Sequence, residues 1–146
     1  MQIIAVTNDR HEIVEPLWLA RAESVHRQLR PHLPPDYAAK MRSVLAGGAG
    51  MTVAAEGESV RGVAVYRWHE NTAEGRKFYI DDLVTDEALR SSGVGRALLA
   101  HLESEARRLA CHAIVLDSGT QRTRAHRFYF REGFFITSFN FKKQLT

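Results

Sequence analysis

Two glycines flanked by two arginines carry the first chemical signal in this chain. The segment Arg90-Ser91-Ser92-Gly93-Val94-Gly95-Arg96 follows a strand-like run from Phe78 to Thr85 and a bend from Asp86 to Leu89. After it, Val94, Leu98, Leu102, Ala106 and Leu109 recur at helical spacing. A helix that starts at such a loop presents unsatisfied main-chain N–H groups and the positive end of its dipole. No carboxylate lies in the loop or the first turn to occupy them. The chemistry on offer is anion binding, with phosphate as the natural ligand. Two phosphate signatures fit poorly. A Walker loop would end in Gly-Lys-Ser/Thr where this chain has Arg96-Ala97, and a dinucleotide fingerprint needs a third glycine where Leu98 stands. Taken alone, the loop also reads as a tight turn without a ligand.

Two more groups have chemical potential. Asp81 and Asp82 are adjacent in the strand pattern, where neighbours face opposite sides, so only one of them is expected to point at a ligand, and a local bulge could alter which. Tyr129 lies within Phe128-Tyr129-Phe130. Neighbours on a helix point about 100° apart, so the three rings cannot share one face and one of them is available to a cleft. The plainer readings are solvated strand-end acids and an aromatic core.

The chain as a whole resembles the GNAT superfamily of acetyl-CoA-dependent N-acetyltransferases. The family signature Gln/Arg-x-x-Gly-x-Gly/Ala is matched by Arg90, Gly93 and Gly95. A second signature, Ala-x-x-Phe-Tyr followed by a Gly-Phe pair, is matched by Ala125, Phe128, Tyr129, Gly133 and Phe134. The resemblance implies an α/β fold of the α+β type, with residues 1–146 as a single domain. It also implies a mostly antiparallel mixed sheet of about seven strands flanked by about four helices.

It implies acetyl-CoA as acyl donor and an amine as acceptor. Ser91, Ser92, Gly93, Val94, Gly95 and Arg96 would surround the pyrophosphate with Arg90 as a further charge partner, and Leu83, Val84 and Thr85 would hold the pantetheine arm as an added strand. Tyr129 would donate to the departing sulfur. An alkyl ammonium of pKa about 10.4 must lose a proton, and Asp81 or Asp82 would receive it, Asp81 being the first choice. Two positions depart from the family pattern: Ser91, where many members have glycine, and Arg122, where many have asparagine. Arg122, with Arg124 and Arg127, becomes an alternative phosphate contact. A rival reading on the same fold is a non-catalytic acyl-CoA sensor. The acceptor is open among small-molecule and peptide amines, and the acids at 70, 74, 81 and 82 lean towards a small cation.

Composition narrows the class. With 146 residues, 45% hydrophobic and 25% charged, the chain is expected to be one globular domain. Its net charge is +3, and arginine supplies all but four of the 20 basic residues, which suits phosphate contacts. The excess is spread along the chain without a basic run, so no nucleic-acid partner is expected. No apolar run approaches a membrane span, and the start is read as a strand rather than a signal peptide. The single cysteine, Cys111, fits a small filler, and the expected location is cytoplasmic. The seven histidines show no metal-ligand spacing, so no metal is expected.

The positioning elements follow from periodicity. A first strand covers Ile3 to Thr7, and a helix capped by Asn8 or Asp9 runs to about Leu29. Pro35-Asp36 opens a second helix that ends at Gly47-Gly48. Strands over 51–55, 60–68 and 77–84 precede the central helix. A short strand, 113–116, and a helix to about Glu132 follow it. Phe134–Ile136 and Phe139–Leu145 read as a closing pair of strands, the last alternating apolar and polar residues and leaving a homodimer open.

Overall fold

Strand and helix alternate only late in this chain, and that order sets the architecture. The computed structural model describes residues 1–90 and 92–146. Their order is β1 (Gln2–Ala5), α1 (Pro16–Arg21), α2 (Glu23–Leu29), α3 (Tyr37–Ala46), β2 (Gly50–Glu56), β3 (Ser59–Asn71) and β4 (Gly75–Thr85), then a 3-10 turn (Glu87–Leu89), α4 (Val94–Arg108), β5 (Ala113–Leu116) and α5 (Thr123–Arg131). The described strands form one mixed sheet in the order β1-β2-β3-β4-β5. The pairs β1–β2, β2–β3 and β3–β4 are antiparallel. Two compact units are present, Met1–Val115 and Leu116–Thr146.

In the first unit the sheet is covered on both faces. Val53, Val63 and Val65 pack with Leu19, Val25 and Met41 of the helices before β2. Ala54, one residue out of phase with Val53, packs instead with Val94 and Leu98 of α4 and with Leu83. Six consecutive residues of β2 are buried, as a strand between two apolar layers requires. Of the α4 stripe read from sequence, Val94, Leu98, Leu102 and Ala106 are buried and are joined by Leu99, whereas Leu109 is the C-cap residue beyond the helix and only partly buried. Gly62 of β3 sets how closely that helix can lie. A Cβ there would sit 2.6 Å from Leu98 Cδ1 and 2.9 Å from Val94 Cγ1.

Three expectations need correction. The first helix does not start at Asn8 or Asp9 and is two helices. Asn8 Oδ1 accepts from Arg10 N and Glu12 N, at 3.0 Å each, and so closes a loop. Pro16 then opens α1, and the chain turns at the fully buried Ala22 before α2. This split gives five α-helices among the described residues where four were expected. The two closing strands are absent as well, leaving five strands among the described residues instead of about seven. Residues 134–146 form no ladder, and Phe139 and Phe141 are 83% and 93% exposed. Alternating polarity fits a strand but does not supply the neighbour whose backbone would complete it.

Candidate active site

The glycine loop leads into a helix start with no cap. Gly93 is the N-cap of α4 at φ +88°, a left-handed conformation that glycine adopts without a Cβ penalty. No side chain caps the helix and no acid lies in its first turn, so the first-turn N–H groups point outward beside the positive dipole end. Asp86, which could have neutralised this end, is turned to its own 3-10 turn and accepts from Ala88 N. Ser92 donates to Leu89 O through both its N–H and its hydroxyl, which closes the loop. Arg90 is exposed. Ser91 lies outside the described residues.

Just before the loop, β4 changes character. Val65 pairs with Asp82 and Tyr66 with Ile80, so Asp81 is an extra residue in the ladder, a β-bulge. The bulge reverses the side-chain phase. Phe78 stacks on Tyr66 with ring centroids 4.9 Å apart, whereas Val84 belongs to the α1–α3 core. Both carboxylates consequently find partners on the α1–α3 side, and the expectation that they diverge does not hold. Asp81 Oδ2 accepts from Arg67 Nε at 2.7 Å, and Arg67 Nη1 donates to Gly47 O at the end of α3. Asp82 Oδ1 accepts from Arg30 Nε and Nη2 at 2.9 and 2.6 Å, while Oδ2 meets His26 Nε2 at 2.7 Å. Burial pushes the Asp82 carboxyl up, but the hydrogen bonds from His26 and Arg30 outweigh it and hold the group below the ordinary carboxylate value.

Leu83 faces α4, Val84 faces the opposite core, and Thr85 pairs with Gly62 of β3. The other edge of β4 adjoins β5, which has four residues against eleven in β4. His112 N donates to Arg76 O, setting the start of β5 beside the start of β4. The later residues of β4 thus lie beyond the reach of so short a strand.

In the second unit, α5 carries Tyr129, half-buried between Phe128 and Phe134 at centroid distances of 5.4 and 5.6 Å. Burial pushes its phenol up, with Arg122 acting in the opposite sense, so it is a hydrogen-bond donor rather than a phenolate at neutral pH. Arg122 is the N-cap residue of α5. Cys111 is half-buried and its thiol is raised by burial, which disfavours the thiolate a nucleophile needs. Among the described residues, no three His, Cys, Asp or Glu side chains gather as a metal group, and no helix is long and apolar enough to cross a membrane.

Sequence reasoning missed His26, Tyr37, Arg30 and Arg67. The only available signal for His26 was its place next to Val25 and four residues after Ala22, on the buried face of a helix.

The chain thus combines a bulged strand with a helix start that no side chain caps. Residues 13–134 match the acetyltransferase (GNAT) family, and the chain belongs to it. Over 71 residues it is 42% identical to an uncharacterized N-acetyltransferase, YhdJ, of Bacillus subtilis (strain 168), covering 48% of this chain and 50% of that protein. Over 66 residues it is 39% identical to an aminoalkylphosphonate N-acetyltransferase of Salmonella typhimurium, covering 45% and 43%. The matched stretch is thus half or less of each curated relative. Both are named N-acetyltransferases and neither a sensor. The fold is similar to that of the aminoglycoside N-acetyltransferase AAC(6')-Iy solved with CoA, at TM-score 0.82 and 17% identity over 99% of this chain and 93% of that one. A Trypanosoma brucei acetyltransferase aligns at TM-score 0.78 and 20% identity over 99% of each chain.

Proposed function

We propose that residues 1–146 act as one N-acetyltransferase domain, moving the acetyl group of acetyl-CoA to a primary amine by direct attack within a ternary complex. The observation that carries this reading is the uncapped start of α4 behind Gly93, with no acid in its first turn. A diphosphate fits such a donor set. Arg90, with the loop from Ser91 to Arg96, supplies charge and N–H groups to it, and Arg122 is a further cation for its phosphates. The open stretch of β4 over Leu83, Val84 and Thr85 offers backbone groups to an extended amide-bearing arm.

In the reaction the amine nitrogen bonds to the acetyl carbon, the carbon–sulfur bond breaks, the thiolate departs with the bonding pair, and the surplus proton left on the new amide nitrogen passes to that thiolate to give the free thiol. Asp81 accepts the ammonium proton, directly or through water, before attack; Asp82 stays an ionised neighbour. The raised phenol of Tyr129 donates a hydrogen bond to the departing sulfur.

The acceptor reading also shifts from a simple cation. Each carboxylate is matched by a guanidinium, Arg67 and Arg30, whose side chains are 35% and 43% exposed. A compact amine that also carries an anionic group suits this mixed lining, and an aminoalkylphosphonate is such a molecule.

The test is a thermal-shift titration with acetyl-CoA, then thiol release with 2-aminoethylphosphonate and, as comparison, putrescine. Donor at 100 times its dissociation constant should add about 2.7 kcal/mol to stability. Binding with no thiol release for any amine would instead describe a sensor, and no donor binding would end the proposal.

A further inference from the structure

His26 is a buried polar side chain that the reaction above does not use. It is 1% exposed, on α2, and both ring nitrogens are engaged. Nε2 lies 2.7 Å from Asp82 Oδ2 and Nδ1 lies 2.8 Å from the Tyr37 hydroxyl. An ionised carboxylate can only accept, so Nε2 must carry the proton and donate it. Tyr37 is 3% exposed, and its ring meets His26 edge-on with centroids 5.6 Å apart. The imidazole is therefore fixed in tautomer at one nitrogen and in orientation by Tyr37 at the other.

Arg30, four residues later on the same helical segment, completes the grip. Its guanidinium takes Asp82 Oδ1 twice, and Nη2 also donates to the main-chain oxygen of Asp81 at 3.3 Å. Asp82 thus receives donors at both oxygens, and its side chain is 14% exposed against 27% for Asp81. One carboxylate is enclosed, and the other is left as the more accessible.

We propose that His26, held by Tyr37, is a positioning residue: with Arg30 it pins Asp82 and the bulge at Asp81, so that the Asp81 carboxylate is presented to the acceptor amine. This rests on the amine-acceptor reading above. It assigns the adjacent acids different tasks, Asp81 to the substrate and Asp82 to the scaffold. The charged and titratable groups around Asp82 are His26 on α2 and Arg30 at its C-cap, Tyr37 on α3, and Asp81 with Arg67 on the strands; Glu23 and Arg27 act on Tyr37.

Two variants of the full chain test it. His26→Gln keeps a side-chain N–H for Asp82, whereas His26→Leu removes it. In the leucine variant the acceptor KM should rise about tenfold, from loss of a buried charge-assisted hydrogen bond, with the acetyl-CoA KM unchanged. The glutamine variant should stay within about threefold of wild type on the same scale. A readout independent of turnover is the carboxyl 13C titration of Asp82 in the ligand-free protein. It should move to higher pH in His26→Leu, because burial still raises the group while one lowering hydrogen bond is gone, and stay near wild type in His26→Gln. A leucine variant that only melts earlier, with acceptor KM and Asp82 titration unmoved, overturns the proposal and leaves acetyl transfer standing. A wild type that binds acetyl-CoA but acetylates no amine overturns both.

Discussion

Replacing Gly62 by alanine should loosen the helix that forms the anion site. The new Cβ would be 2.6 Å from Leu98 Cδ1, 2.9 Å from Val94 Cγ1 and 3.3 Å from Val84 O, against about 3.5–4.0 Å for a relaxed carbon contact. Leu98 and Val94 are 0% and 4% exposed, so relief requires a displacement of roughly 1 Å at the start of α4. Overpacking of this kind costs about 1–3 kcal/mol. Removing a glycine from a strand returns roughly 0.5–1 kcal/mol. The net is a loss of about 1–2 kcal/mol, or about 3–6 °C in Tm for a chain of this size. Because Val94 is the first residue of α4, the shift reaches the phosphate-facing N–H groups, and acetyl-CoA affinity should fall several-fold. Calorimetric melting and isothermal titration measure the two effects. Gly57→Ala is the control: it has a positive φ in the β2–β3 turn but nothing within 4 Å of its Cβ, so it should cost stability without touching donor affinity. A Gly62→Ala protein that melts at or above wild type and binds acetyl-CoA equally well would refute the packing argument.

Other outcomes follow from single groups. Tyr129→Phe should lower turnover by about tenfold or more while leaving acetyl-CoA affinity unchanged, since the hydrogen bond matters only as the thiolate forms; equal turnover would remove the role. Asp82 has a depressed carboxyl in the fold, so its contribution to stability is present above the ordinary value of about 3.9 and is lost as pH falls through the lower folded value. The stability gap between wild type and Asp82→Asn should therefore hold from neutral pH to about pH 5 and shrink below about pH 4. The phenols of Tyr37, Tyr66 and Tyr129 are all raised by burial, and their contribution is lost at the alkaline end instead. Absorbance at 295 nm should show them ionising above the ordinary tyrosine value of about 10 in the folded chain, with stability falling over that range.

The central helix and its loop were legible because their information is local. Val94, Leu98, Leu102 and Ala106 repeat at helical spacing, and Gly93 stands where only a left-handed residue fits. Asp36 as the cap of α3, accepting from Ala39 N, was equally readable. What escaped depends on distant partners. Nothing around Ala22 in sequence marks a break, since its constraint is burial beneath the sheet. The phase reversal at Asp81 arises from its pairing with β3, fifteen or so positions upstream, and a strand pattern read alone puts the two acids on opposite faces. His26 and Asp82 are 56 residues apart, a separation at which sequence spacing carries no information. In the closing segment the pattern was present and the pairing was not.

The extra residue in β4 divides one strand into two reading frames. Counting by twos from Phe78 gives a correct face up to Ile80 and a wrong one for Asp82 and everything after it. Deleting residue 81 would remove the extra residue, restore a regular ladder and leave Leu83 and Val84 facing the layers they face now, at the loss of one of the two carboxylates on the α1–α3 side. An alignment that runs a bulge-free strand through 78 to 85 without a gap would therefore transfer side-chain roles to the opposite side of the sheet on one side of Asp81, whereas a single gap at 81 keeps both halves on their own faces.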